Sequence, residues 1–246
     1  MTDSTSPTPR TASALGSRGG DWRRPASGTR LEALSDGVFA FSATLLVVSL
    51  EVPRTFEQLV GNLGGFVGFG FSFAILMMIW TGHHGFFRRF PIQDTPTIAL
   101  NSLLLFLVLF YVYPLKFLTS VVAGFYLGTE DVGGMIGSRA EMGQLMLLYS
   151  GGFVAVYACF IVLYSRVAGR RRALGLTALE HFEACAMVRH YGIYVGVGVL
   201  SIALTLGDVG TGYGGPGWVY VLLGPLCGFN GVRTERRRRE LAAEAA

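Results

Sequence analysis

Asp36 is a carboxylate near the start of a membrane-length apolar stretch, Leu34 to Val52. On insertion scales such a charge costs about 2.5–3.5 kcal/mol, so it must face protein or water, not lipid. The groups able to satisfy it are few. Ser35 is adjacent, and Trp80, His83, His84 and Asn101 lie at the ends of the next two apolar runs. Three chemistries suit that set. It can be a hydrogen-bonded network clamping helices together, a proton relay through Asp36 and the histidines, or direct coordination of a cation by the carboxylate.

Other constellations carry less. His83 and His84 are adjacent, so on a helix they point about 100° apart, and the HxxxH spacing of a shared metal ion is absent. His181, Glu183 and Cys185 alternate at a spacing suited to a strand, within a stretch that reads as helical. Cys159, Cys185 and Cys227 are scattered and form no CxxC pair, so neither a disulfide framework nor a metal site is expected. No GxSxG, phosphate loop or dinucleotide fingerprint stands in context, so no catalytic residues and no resident cofactor are expected. The chain does not read as an enzyme.

The elements that must position these residues are membrane spans. Hydrophobic residues make up 51% of the chain and charged ones 15%, and the mean hydropathy is +0.48. That balance describes an all-α integral membrane protein. Residues 1–28 are rich in Ser, Thr, Pro, Gly and Arg and have no apolar period, so they read as a disordered tail without a signal peptide. Residues 29–232 form the membrane domain, and residues 233–246 a basic tail. Six apolar runs are expected, at about 32–53, 56–87, 97–122, 142–164, 191–206 and 218–229. A separate amphipathic helix is expected over 173–189, before the fifth run. Gly61, Gly64, Gly65, Gly68 and Gly70 place the first half of the second run against a neighbour.

Six spans bring both ends of the chain to one side. Of the 20 basic residues, all but Arg54, Lys116 and Arg139 then lie with the termini. Basic loops stay on the cytoplasmic side, so both termini are expected in the cytoplasm of a multi-pass plasma-membrane protein. The Arg236–Arg239 run reads as a topology anchor, with an anionic-lipid site as the rival reading. Nucleic acid is not an expected partner.

At 100° per residue, Gly37, Phe41, Thr44, Leu45, Val48 and Val52 share one face of the first helix. Asp36, Ala40, Ala43 and Val47 fall largely on the other side. A helix held to its own subunit by the polar side leaves its apolar stripe available for a symmetry axis.

At these residues the chain resembles a known family. Arg30-x-x-x-Leu34-Ser35-Asp36-Gly37, followed by Thr44, Leu45, Leu46 and Pro53, is similar to the first-helix signature of the transmembrane protein 175 family. These are the endosomal and lysosomal potassium channels and their bacterial relatives. Trp80 with His83-His84, and Asn101 before a run ending in Pro114, resemble that family's second and third helices. The likeness covers about Arg30 to Pro114, and later helices only by count.

The resemblance implies a homotetramer of six-helix subunits, with the first helix of each lining a potassium-selective pore that has no re-entrant filter loop. It places Phe41 at the tightest ring, Leu45 and Val48 at further apolar rings, and Thr44 as a hydroxyl ring. It also assigns Arg30, Ser35, Asp36, Trp80, His83, His84 and Asn101 to a structural polar network. K+ is then the permeant ion and lipid the surrounding partner. Phe41 departs from the family's usual Ile or Leu, so the constriction can shift to Leu45. Leu34 in place of the motif Phe is a milder departure. For Thr44 the competing role is a bond to the carbonyl of Ala40.

Two rival classes remain. A secondary transporter of protons or small cations would use Asp36 and the histidines as its relay, but no repeat of RLEALSDG appears in the second half of the chain. A membrane scaffold leaves Asp36 without a purpose. Thr211-Gly212-Tyr213-Gly214-Gly215 invites comparison with a TVGYG filter, yet no pore helix fits between it and Leu206, and it reads as an extracellular turn.

Overall fold

A computed structural model describes residues 30–48, 54–127 and 132–244. The tail expected over 1–28 and the end of the first run, Val52 and Pro53 included, lie outside the described residues. The chain is all-helical: α1 (Arg30–Val48), α2 (Phe56–Arg89), α3 (Thr95–Leu127), α4 (Val132–Met135), α5 (Arg139–Gly169), α6 (Ala178–Leu206), α7 (Gly215–Trp218) and α8 (Leu223–Glu244). Among the described residues five helices are long and apolar enough to cross a membrane: α1, α2 from Phe66, α3 to Gly124, α5 and α6.

Local chemistry sets the boundaries. Thr55 and Ser138 accept backbone N–H bonds from Gln58 and Glu141, capping α2 and α5. Thr177 and Glu180 form a reciprocal capping box at the start of α6. That box corrects the expectation of a separate amphipathic helix over 173–189. Residues 178–189 are the first three turns of the fifth span, whose mixed character reflects the ion pairs they make.

The sixth run also differs from expectation. Residues 218–229 are not one uninterrupted span, because α7, a 3-10 stretch over Val219–Leu222 and the first turns of α8 follow one another. Pro225 sits in the opening turn of α8, where no backbone donor is needed. This segment runs antiparallel to α6. Ser201 donates to the Pro216 carbonyl at 3.0 Å near one end, and Arg238 Nε meets Glu183 Oε1 at 3.0 Å near the other. Ser201 and Glu183 are separated by about 27 Å of helix.

α5 and α6 form the main hairpin, α2 and α3 a second one against it, and α1 lies on α2 and α3. The α5–α6 seam is aromatic. Phe160 stacks on Tyr191 with ring centroids 4.8 Å apart, and Tyr157 and Tyr194 meet at 4.5 Å. Small residues permit the remaining approaches. Tyr111 of α3 fills the space over Gly152, and a Cβ on Gly68 would sit 3.1 Å from the Ser120 backbone nitrogen of α3. The close-packing expectation therefore holds at Gly68. Gly70 faces open space, and side-chain surroundings at 61–65 are outside the described residues.

Ion pairs gather where α2, α5 and α8 end and α3 and α6 begin. Asp94 Oδ2 receives Arg166 at 2.9 Å and Arg170 at 2.6 Å, and its other oxygen accepts from the Thr97 backbone and hydroxyl. Glu183, 8% exposed, lies between Arg89 and Arg238. At the opposite end Arg139 pairs with Asp208 at 2.9 Å.

Gly68→Ala pushes a methyl into the α3 backbone, which cannot yield as a side-chain tip would. A loss of about 1–3 kcal/mol is expected, read as a lower melting temperature in detergent. The Thr97 hydrogen bond, backed by Arg170 and Arg166, holds the Asp94 carboxyl below its ordinary range. A depressed folded pKa contributes stability above the unfolded value, about 3.9, and that contribution is lost as pH falls through the folded pKa. The melting-temperature gap between the parent and Asp94→Asn should therefore be wide at pH 7 and close toward pH 3.

Candidate functional site

α1 presents three arcs. The packed one is Ser35, Phe39, Ser42 and Leu46, all buried, at the 4-3-4 spacing of a single helical face. The apolar stripe lies roughly opposite it. Phe41 is 57%, Leu45 39% and Val48 71% exposed, and Gly37 faces open space. Thr44 is also on the uncovered side, and its hydroxyl donates to the Ala40 carbonyl at 3.0 Å.

The arc holding Asp36, Ala40 and Val47 is a flank, not the packing face expected opposite the stripe. Val47 is 51% exposed, while Ala43 leans onto the core. The physical reason is angular. The flank is about 100° from both other arcs, so it borders the packed side without entering it.

The polar residues expected in one network form two separate sets. In the buried set, Asn101 Nδ2 donates to Ser35 Oγ at 3.0 Å, and Ser35 donates to the Leu31 carbonyl at 2.8 Å. His83 Nε2 lies 2.7 Å from Asn101 Oδ1. With Asn101 donating to Ser35, its oxygen faces His83, so Nε2 carries the hydrogen and the chain His83–Asn101–Ser35–Leu31 points one way. Phe39 and Phe87 flank the His83 ring at 5.5 and 4.7 Å.

The second set is at the surface of the subunit. Trp80 Nε1 donates to Asp36 Oδ1 at 2.9 Å, and His84 stacks on the Trp80 ring at 5.4 Å. Asp36 is exposed in the single chain, so it is not the buried carboxylate that hydropathy suggests. Among the described residues no hydrogen bond joins Asp36 to either histidine. Arg30 opens α1, stands exposed and joins neither set. It lies six positions before Asp36, about 240° around the helix, which aligns it with the apolar stripe instead.

Phe39, Ser42 and Leu46 are the anchoring residues that sequence reasoning missed, and their regular spacing was the available signal. Glu183, considered only as a metal ligand, is instead an ion-pair partner of two arginines. Among the described residues no three His, Cys, Asp or Glu side chains are placed to hold a metal ion.

Comparison with known proteins bears on this arrangement. Residues 30–111 match the model of the endosomal/lysosomal potassium channel TMEM175 family. A protein of Marivirga tractuosa named as a potassium channel is 32% identical over 87% of this chain and 90% of its own length. A crystal structure of a threonine-to-alanine variant of the potassium channel MtTMEM175, bound to a nanobody fusion, superposes with a TM-score of 0.75. It is 32% identical and is covered over 96% of its length, with 87% of this chain matched. A solved TMEM175 homologue from Chamaesiphon minutus gives a TM-score of 0.53 at 26% identity, over 83% of this chain and 96% of that one. The fold and these likenesses define a multi-pass helical membrane protein of the ion-channel class. The chain belongs to the TMEM175 family.

Asn101 satisfies two buried partners, whereas Asp36 satisfies one at the surface. Asn101→Ala strands Ser35 and His83 at about 1–3 kcal/mol per unsatisfied group. It should therefore lower the melting temperature and the yield of assembled protein more than Asp36→Ala does. Fluorescence-detected size exclusion after heating ranks the two, and the reverse order would place the anchor at Asp36.

Proposed function

We propose that this chain is a potassium-selective channel, built as a homotetramer in which α1 of each subunit lines the pore. The observation that carries the reading is the uncovered stripe of α1. The helix is secured by its Ser35–Phe39–Ser42–Leu46 side, which leaves Phe41, Thr44, Leu45 and Val48 without cover in the single subunit. Around a four-fold axis these residues become rings. The names of the Marivirga and Chamaesiphon relatives, a potassium channel and a potassium-selective channel, support the choice of ion.

The channel has six passes. The antiparallel run of α7, the 3-10 stretch and α8 along about 27 Å of α6 supports a sixth crossing. With it both termini are cytoplasmic and the arginine-rich end lies at the inner face of a bacterial-type plasma membrane. Lipid surrounds the tetramer, K+ is the permeant species and there is no resident cofactor.

Selection works without a re-entrant filter. A narrow apolar ring offers no oxygen to replace an ion's water shell, so it resists passage and gates by dewetting. Potassium sheds water more readily than sodium and meets the smaller barrier. Thr44 gives its hydrogen to Ala40 and keeps an oxygen lone pair for a passing cation. Phe41 or Leu45 forms the tightest ring. The Asp36–Trp80 bond and the Asn101–Ser35 bond hold α1 at its register, which suits a fixed pore wall better than a transporter's proton relay.

Phe41→Asn and Leu45→Asn should wet the constriction, raise conductance and weaken discrimination against sodium. Thr44→Ala should reduce selectivity more than expression. Leu46→Asn, on the buried arc, should damage folding without producing a leak. Reversal potentials under potassium and sodium gradients in planar bilayers measure each effect. Parent-like permeation in both asparagine variants would remove the stripe from the ion path.

A further inference from the structure

A cavity of about 730 Å³ opens between α2 and α8 at the arginine-rich end of the subunit. Its floor is the aromatic seam of α5 and α6, including Tyr157, Phe160 and Tyr191. Each wall carries a ladder at helical spacing. On α2 the ladder is Thr81, Gly85 and Arg88, and on α8 it is Asn230, Thr234 and Arg238. Glu183 pairs with both Arg89 and Arg238 at the mouth, while Glu235 pairs with Arg239 and Arg238. Arg88 is left over: among the described residues it meets no acid. The Thr234 hydroxyl is buried and has no hydrogen-bond partner, and so is that of Tyr157, which is 2% exposed. Buried donors without partners are rare in folded proteins and point to a missing ligand.

We propose that this cleft binds an anionic phospholipid of the adjoining leaflet, its phosphate at Arg88 and Thr234 and one acyl chain along Met78, Phe160 and Met187. Three arginines against two carboxylates leave the mouth cationic, which complements a phosphate. The lipid, not a soluble anion, fits because the cleft continues past the arginines. Arg88 to Met78 is about 15 Å of helix, and the far part is lined by Met78, Phe160 and the tyrosine rings with Thr81, His190 and Asn230 among them, a mostly apolar channel that suits an acyl chain better than a hydrated ion. The depth agrees as well, since arginines at the end of a span stand level with the headgroups. Gly82, Gly85 and Gly231 keep the cleft open, because any larger side chain there would narrow it.

Native mass spectrometry of the purified protein, offered equal phosphatidylglycerol and phosphatidylcholine in detergent, tests the site independently of any ion flux. The parent should retain phosphatidylglycerol preferentially. Arg88→Gln should lower that retention about fivefold, as expected for one arginine near an anionic headgroup. Thr234→Val should lower it further when combined with Arg88→Gln. Arg171→Gln, an exposed arginine of the same end outside the cleft, should retain parental binding. Melting temperatures of all variants confirm that each is folded, and Arg88, which pairs with no acid among the described residues, can be changed without breaking an ion pair among them. Equal retention of the two lipids by the parent would overturn the proposal. So would undiminished binding in the folded Arg88→Gln, Thr234→Val double variant, or an equal loss in Arg171→Gln.

Discussion

Everything in this subunit depends on how α1 is held. The Asn101 amide bonds Ser35 and His83 together inside the protein, where neither lipid nor water offers a substitute partner. Sliding or rotating α1 would break that chain and strand buried polar groups. Phe39, Ser42 and Leu46 extend the same contact along the helix. One side of α1 is therefore committed, and the opposite apolar stripe must find its environment beyond the subunit.

The remaining helices act as a frame for that contact. α2 and α3 supply the partners of α1, and they in turn are fixed to α5. Asp94, at the start of α3, is tied to Arg166 and Arg170 at the end of α5. The α2–α3 approach is sealed by Gly68 against the α3 backbone and by the Ser72–Thr119 hydroxyl bond at 2.6 Å. The aromatic seam and the Glu183 ion pairs then lock α5, α6, α2 and α8 at one end. Side-chain ordering far from α1 thus limits the tilt of α1.

Much of this was legible in the residues. The class followed from composition, because an apolar chain with so few charges cannot present a soluble surface. Trp80, His83 and Asn101 were recognisable as partners for α1, since polar groups in apolar runs must pair. Their pairing was not legible. Ser35 and Asp36 are adjacent, and a 100° difference in direction sends one into the core and the other to Trp80 at the surface. Hydropathy also divided α6 wrongly, because its first turns carry charge for ion pairing although the backbone continues unbroken from Thr177. The last segment was visible as an apolar run, but its 3-10 stretch at Val219–Leu222, which carries the Tyr220 hydroxyl to Ser150 some 70 residues away, was not.

The central claim is that the stripe opposite the anchored arc of α1 faces the ion path. Single cysteines placed from residue 35 to residue 48, in protein with its native cysteines replaced, can be exposed to a thiol-reactive cation while potassium flux is recorded. The account predicts block from positions 41, 44, 45 and 48, and no block from positions 35, 39, 42 and 46. Block with the opposite periodicity, or modification of the stripe that leaves flux unchanged, would contradict it.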